Sequence, residues 1–185
     1  MLLEENKLKE LIQSIEENVD NVGMISDKVV SDYSNSLDSL MQNIYTDVIV
    51  GEDNSTETLE KYFLELTNTL YFMSEKLEKL GMYDDMSKAS AKESYNTAYL
   101  NSQSSPTDKK KTTVAESQAI AEGASIYEST VNQLYSRSYK IFKGKIDAGY
   151  EMVKCLSKIL SHRIAEFSLS QKDTSGRQIL IENQF

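Results

Sequence analysis

The chain has 185 residues, one Cys, one Pro, seven Gly and no Trp, and its formal net charge is −9. A single cysteine excludes an intramolecular disulfide, and no stretch approaches the ~18 consecutive apolar residues of a membrane span. Because so few helix breakers interrupt the chain, we expect an all-α fold: an elongated helical bundle with a long C-terminal coiled-coil-like helix.

The apolar fraction of 39 % is modest for a chain with long helices. This favours a homo-oligomer, in which subunits complete one another's cores, over the alternative of a monomeric bundle with a thin core. Residues 1–5 are acidic where a signal peptide would be basic, and a lone thiol suits a reducing compartment. We therefore expect a cytoplasmic protein with no membrane partner.

Charge is distributed unevenly along the chain. Residues 1–86 hold 6 Lys and no Arg against 19 acids, a net charge of −13, whereas residues 87–185 have a net charge of +4. Within 137–163, seven cations face only Asp147 and Glu151. This asymmetry favours a polyanionic or acidic partner for one half of the chain; alternatively, the two halves neutralise each other on folding.

The first 50 residues are predicted to form an acidic N-terminal helical region. Apolar residues at spacings of three and four predict an amphipathic helix over 2–20. Gly23 is predicted to interrupt the helix after this stretch. A second apolar stripe follows over 25–48. The segment 45–50 is β-prone, but its helical register is unbroken, so we predict helix up to Gly51.

A helical core is predicted over 54–168. Asn54 and Glu57 have the spacing of an N-cap and N3 pair at the start of a third helix, which Gly81 would end as a C′ residue. A fourth helical stretch covers about 84–100.

The polar segment 101–105 is predicted to be a loop. Ser105, Pro106 and Asp108 then have the residue types of the N-cap, N1 and N3 positions of a new helix. The lysines at 109–111 would lie in its first turn, where the helix dipole disfavours cations. They indicate either an external anion or a solvated, frayed turn.

From about Ile126 the pattern becomes long and regular. Apolar positions recur at spacings of three and four over 33 residues, close to a heptad repeat: Tyr135, Tyr139, Phe142, Ile146, Gly149, Val153, Leu156, Leu160, Ile164 and Phe167. Gly149 on this seam would let another helix approach closely. The pattern stops after Ser168, and we expect a flexible C-terminal tail over 169–185, whose apolar end is either frayed or a partner-docking motif.

No catalytic or metal-binding signature accompanies these helices. His162 and Cys155 are the only residues of their types, too few for a zinc site without added carboxylates. Gly144 and Gly149 lie inside a helical pattern, not in a phosphate-binding loop after a strand. We therefore expect a protein that is not an enzyme and needs no cofactor.

A basic surface with interleaved aromatic residues remains as the candidate site. Cations neutralise phosphates, and aromatic rings stack on unpaired bases, so this combination favours single-stranded nucleic acid. The candidate residues are Lys88, Lys92, Tyr95 and Tyr99 on the earlier helix, and Lys140, Lys143, Lys154, Lys158 and Arg163 on the long one.

This layout resembles the UvsY-type recombination mediators of T-even-like phages, over about residues 59–168. The resemblance is carried by the Lys88 and Lys92 helix with its tyrosine pair, the polar break, the Lys-rich restart and the segment Ser161-His162-Arg163-Ile164. It implies a small helical oligomer that binds single-stranded DNA and loads a recombinase in place of the single-strand binding protein. It places Lys88 and Lys92 in the family's basic helical segment, and Ser161 and Arg163 near its C-terminal Ser-Arg.

Three functions follow as hypotheses. The first is an oligomeric accessory protein of bacteriophage DNA recombination that binds single-stranded DNA and engages a recombinase or a single-strand binding protein. The second is a structural or assembly protein of a virion, with the long helix as its oligomerisation device. The third is an inhibitor whose acidic half mimics nucleic acid.

Overall fold

A computed structural model describes the backbone of residues 2–53, 55–104 and 112–182 and the side chains of 17, 19–53, 55–103 and 112–169. Over these ranges the chain forms four α-helices and one π-helical segment, without a strand, which confirms the predicted all-α fold. The elements are α1 (Leu2–Ile44), the π-helix (Tyr45–Val50), α2 (Thr56–Ser104), α3 (Val114–Ala124) and α4 (Ile126–Glu182).

Helix α1 passes through Gly23, so the predicted break there was wrong. A glycine costs a helix only about 1 kcal/mol relative to alanine, which a long packed helix tolerates. Helix was correctly predicted for 45–50, where the hydrogen bonding is of the π type. Gly51 follows the last residue of this element as predicted. A Cβ there would lie 2.8 Å from the Asp47 carbonyl oxygen, so the position suits glycine.

The start of α2 is capped by residues that the sequence pattern did not indicate. The predicted N-cap, Asn54, lies outside the described residues, and Glu57 lies in the first turn. The Thr58 backbone N–H donates to the Ser55 hydroxyl at 3.3 Å. The Asp53 carboxylate accepts from the Ser55 backbone N–H at 3.1 Å and the Thr58 hydroxyl at 2.9 Å, and these bonds lower its pKa.

Helix α2 continues through Gly81 and residues 101–104, so the helix end predicted at Gly81 and the loop predicted from 101 were both wrong. Gly81 serves close packing instead, because a Cβ there would lie 3.3 Å from the Tyr139 ring. In the final turn the Ser102 hydroxyl donates to the Tyr99 carbonyl at 2.7 Å, which keeps this polar residue compatible with helix.

The helix start predicted at 105–108 and the lysines at 109–111 lie outside the described residues. Helix α3 begins after Thr113 with a capping box. The Glu116 backbone N–H donates to the Thr113 hydroxyl at 3.3 Å, and the Thr113 backbone N–H donates to the Glu116 carboxylate at 2.9 Å. The Thr113 backbone N–H and the Thr113 hydroxyl both donate to this carboxylate and lower the pKa of Glu116. The Thr-x-x-Glu spacing is a signal for this helix start that can be read from the sequence.

Helix α4 begins at Ile126 as predicted but does not end at Ser168, since it continues to Glu182. Extending an existing helix costs little per residue, and no proline interrupts 169–182. Flexibility of the 169–185 segment stays a prediction.

The chain divides into two compact units whose boundaries fall inside the helices. Unit 1 comprises Met1–Ser34 and Ser74–Gly144, and unit 2 comprises Asn35–Met73 and Lys145–Phe185. This division differs from the three sequence regions 1–50, 54–168 and 169–185, because each unit joins helix segments that are distant along the chain.

The two units have cores of different composition among the described side chains. In unit 2 the buried residues are apolar: Leu37, Leu40, Ile44, Val48, Leu59, Tyr62, Leu66, Leu70, Met73, Ile146 and Leu156. In unit 1, Val30, Leu80, Ala121 and Phe142 are buried together with Ser26, Ser34, Ser87, Ser117, Ser125 and Ser138. The hydroxyls of Ser26 and Ser138 share a hydrogen bond of 2.8 Å. Unit 1 therefore gains less hydrophobic stabilisation from its described core than unit 2 does.

Within unit 2, Gly149 lies where α4 meets α1 and α2, which confirms that it permits close helix approach. A Cβ there would lie 2.7 Å from Leu70 Cδ2 and 3.5 Å from Leu37 Cδ1. The seam of α4 is buried at Leu156 and becomes exposed at Ile164 and Phe167.

We expect Gly149→Ala to destabilise the protein by about 1–3 kcal/mol, because the added methyl group would displace the Leu70 side chain. Gly144→Ala on the same helix is the matched control. A Cβ at Gly144 meets nothing within 4 Å. Its higher helix propensity should therefore stabilise the protein by about 0.5–1 kcal/mol. Urea denaturation of both variants measures the two effects, and equal stabilisation by both would contradict the close approach at Gly149.

A second prediction concerns Tyr62, whose buried hydroxyl donates to the Asp47 carboxylate of the π-helix. This bond, reinforced by burial, raises the pKa of Tyr62 from 10.0 to about 12. Between these two pH values the unfolded chain loses this proton and the folded chain keeps it, so this contribution to stability is complete below pH 10 and is lost as the pH rises to about 12.

Tyr62→Phe keeps the ring and removes the hydroxyl. Urea denaturation across this pH range should therefore show the stability difference between wild type and variant shrinking as the pH rises. A difference that stays constant from neutral to strongly alkaline pH would contradict the assigned bond.

Candidate nucleic-acid interface

The nine predicted contact residues are divided between the two units. The seven cations are exposed and the two tyrosines are half-buried. Unit 1 holds Lys88, Lys92, Tyr95, Tyr99, Lys140 and Lys143, and unit 2 holds Lys154, Lys158 and Arg163.

In unit 1, one stripe of α2 carries Lys88, Lys92, Tyr95 and Tyr99, which we term the α2 row. Their spacings of four, three and four residues match the 3.6-residue turn of an α-helix. The row extends about 16 Å along the helix axis. Within the described part of the chain, neither lysine of the row forms a salt bridge. The row therefore presents two available cations followed by two rings.

The two rings of the α2 row lie nearly parallel. Their centroids are 6.4 Å apart and their planes differ by 9°. The Gln103 side-chain amide donates to the Tyr99 hydroxyl at 3.1 Å, which holds that ring at its outer end. Because both tyrosines are half-buried, part of each ring is accessible.

Helix α4 packs beside the α2 row in an antiparallel direction within unit 1. The Tyr139 ring covers Gly81, and the Asn132 amide donates to the Ser87 hydroxyl at 3.1 Å and to Asp84 at 3.4 Å. Lys88 follows Gly81 by seven residues and is therefore on the same side of α2.

Lys143 follows Tyr139 by four residues and is on the corresponding side of α4. Lys140 is next to Tyr139 in sequence and borders that side. From these spacings we infer that the α2 row, Lys140 and Lys143 share one surface of unit 1, which we term the cationic face.

A groove on α4 includes Lys140 of the cationic face. Its volume is about 530 Å³, and its described lining comprises Asn132, Gln133, Ser136, Arg137, Lys140 and Ile141. None of these side chains is acidic. Arg137 was counted in the basic segment but was not predicted as a contact residue. Its spacing of three from Lys140 was the available signal, because such residues neighbour each other on a helix.

Acidic side chains also lie near the cationic face. Asp84, one turn before Lys88, is half-buried and accepts from Asn132, whereas Asp85 is exposed. They reduce the positive potential at the Lys88 end of the row, as the exposed Glu93 does beside Lys92.

The cations of unit 2 are arranged differently. Lys154 pairs with Glu151 at 2.6 Å, which raises the pKa of the lysine, and Arg163 pairs with Glu166 at 3.3 Å. Lys158 is exposed, but Arg163 follows it by five residues and so points well away from it around the helix. A polyanion would have to displace carboxylates here, so unit 2 is the weaker candidate.

The remaining chemistry of the described residues is sparse. Cys155 and His162 are exposed on α4. No group of three or more His, Cys, Asp or Glu side chains in the described ranges could hold a metal ion. Among the described helices, none is long and apolar enough to cross a membrane.

Comparison of the chain with protein-family models, curated proteins and solved structures gave no match. The resemblance to UvsY-type mediators therefore stays a prediction.

We expect Asn132→Ala to destabilise unit 1, because the bonds from α4 to Asp84 and Ser87 are lost. Asn96→Ala is the control: it makes the same chemical change, with the same gain in helix propensity, at an exposed position of α2. Urea denaturation should show Asn132→Ala to be less stable than Asn96→Ala by about 1 kcal/mol. Equal stabilities of the two variants would show that the Asn132 hydrogen bonds do not stabilise the packing of α4 on α2.

Proposed function

We propose that this chain is a non-enzymatic accessory protein that binds single-stranded DNA on the cationic face of unit 1. The observation that supports this most directly is the α2 row, in which two available lysines lie in line with a parallel pair of tyrosine rings. Lysines neutralise phosphates of any nucleic acid, but accessible rings stack only on bases that are unpaired. The combination therefore favours a single strand over a duplex.

The length of the face supports the same proposal. Tyr139 is level with Gly81 on the antiparallel helix, so Lys143 is level with Leu77. From there to Tyr99 the face extends about 33 Å, at 1.5 Å per helical residue. At about 3.4 Å per stacked nucleotide this corresponds to roughly ten nucleotides, a typical site size for a single-strand binding surface.

The biological setting that we propose is DNA recombination in a bacteriophage, as the UvsY-type resemblance implies. In that role the chain forms a homo-oligomer on the single strand and helps to load a recombinase. The acidic N-terminal region, which contributes about half of the net charge of −13 over residues 1–86, engages the recombinase or the single-strand binding protein.

A structural or assembly protein is the second candidate, and one observation in unit 2 favours it. Ile164 and Phe167 continue the apolar seam of α4 but are 55 % and 65 % exposed. A continued seam of this kind suits helix association between copies. Such a protein would form oligomers and bind no oligonucleotide.

Fluorescence anisotropy with a labelled oligo(dT) tests the proposed function. Affinity should fall steeply with salt, because each phosphate contact contributes about −0.7 to the slope of log K against log salt. The variant Lys88→Gln with Lys92→Gln should therefore lose about 1.4 of that slope. Lys28→Gln with Lys79→Gln, two exposed lysines away from the α2 row, is the control and should keep it. Absence of binding by wild type at low salt would refute the proposal.

A further inference from the structure

The rings of Tyr95 and Tyr99 are parallel but not in full face-to-face contact. The two residues are one turn apart, so their Cα atoms are separated by about 6 Å along α2. Two fully overlapping rings in contact would have centroids about 3.5 Å apart. The centroids of this pair are 6.4 Å apart, and their planes differ by 9°.

Another tyrosine pair of unit 1 shows the contrast. Tyr83 on α2 and Tyr135 on α4 have centroids 5.4 Å apart and planes 28° apart. That pair joins two helices and contributes to their packing. Tyr95 and Tyr99 lie on the same helix, so their parallel alignment joins no elements together.

We propose that Tyr95 and Tyr99 hold one unpaired base between their rings. This rests on the proposed function and specifies the part of the DNA that the α2 row recognises. The base enters from the exposed edges of the two rings and lies parallel to both. Rotations of the two side chains set their ring planes about 7 Å apart, which forms a slot in which both faces of the base are in contact.

The neighbouring residues suit this arrangement. The hydrogen bond from the Gln103 side-chain amide restrains the Tyr99 ring. Part of the entropy cost of ordering that ring is therefore met before the base binds. Lys92 is one turn before Tyr95, so its ammonium group is placed to contact a phosphate beside the held base. Because stacking uses the face of a base and not its edge, the slot accepts any base.

The test uses oligonucleotides of about ten nucleotides, one with normal bases, one with an abasic backbone, and one containing 2-aminopurine. For wild type we expect about tenfold weaker binding of the abasic strand, as well as quenching of 2-aminopurine fluorescence. Tyr95→Leu and Tyr99→Leu should each weaken binding of the normal strand about tenfold and abolish the quenching. Tyr95→Phe keeps the ring and should retain both. Tyr99→Phe also keeps the ring and should retain the quenching, although it loses the hydrogen bond from Gln103.

Tyr127→Leu is the matched control, since this tyrosine of unit 1 is 76 % exposed on α4. It should change neither affinity nor quenching. Equal binding of normal and abasic strands would overturn the slot and leave phosphate binding intact. An effect of only one of the two leucine substitutions would also overturn it, because the base would then stack on a single ring. Failure to bind either strand would refute the proposed function itself.

Discussion

The packing of the Tyr139 ring on Gly81 is the contact on which the arrangement of unit 1 depends. A Cβ at residue 81 would lie 3.3 Å from that ring, tighter than an ordinary contact. The glycine therefore lets α4 lie close to α2 in one antiparallel register, in which Asn132 reaches Asp84 and Ser87. That register places Lys143 on the side that carries the α2 row. Without it, the lysines of the two helices would not share a face.

The different compositions of the two cores are a second constraint, and they affect the stability of each unit. Unit 2 buries aliphatic side chains, whereas the described core of unit 1 contains six serines. The Ser125 hydroxyl donates to the Ala121 carbonyl, and the Ser26 and Ser138 hydroxyls bond to each other between helices, whereas the Ser117 hydroxyl has no hydrogen-bond partner among the described residues. Small side chains permit close helix packing but bury little apolar area. We therefore expect local opening of unit 1 to cost less free energy than opening of unit 2.

Much of the helical layout followed from residue spacing. The start of α4, the helical character of 45–50 and the role of Gly149 were all predictable, because periodicity is a local property of the chain. The α2 row was also predictable, since spacings of four, three and four place residues on one side of any helix. The end assigned to Gly81 was wrong because a glycine inside a helix and a glycine at its end look alike until the partner helix is known.

The division of the predicted contact residues between the two units could be seen only in the structure. Which cations share a surface depends on the register of α2 and α4, a long-range property that the order of the residues does not contain. The sequence did contain the signal for two salt bridges. Glu151 is three residues from Lys154, Glu166 is three residues from Arg163, and each pair forms a salt bridge. That spacing alone could have lowered the rank of Lys154 and Arg163.

Lysine footprinting by acetylation and mass spectrometry, with and without bound oligo(dT), shows which lysines a bound strand covers. The oligonucleotide should protect Lys88, Lys92, Lys140 and Lys143 together, while Lys28 and Lys79 react as before. Protection of Lys154 and Lys158 without protection of the four lysines of the cationic face would contradict it.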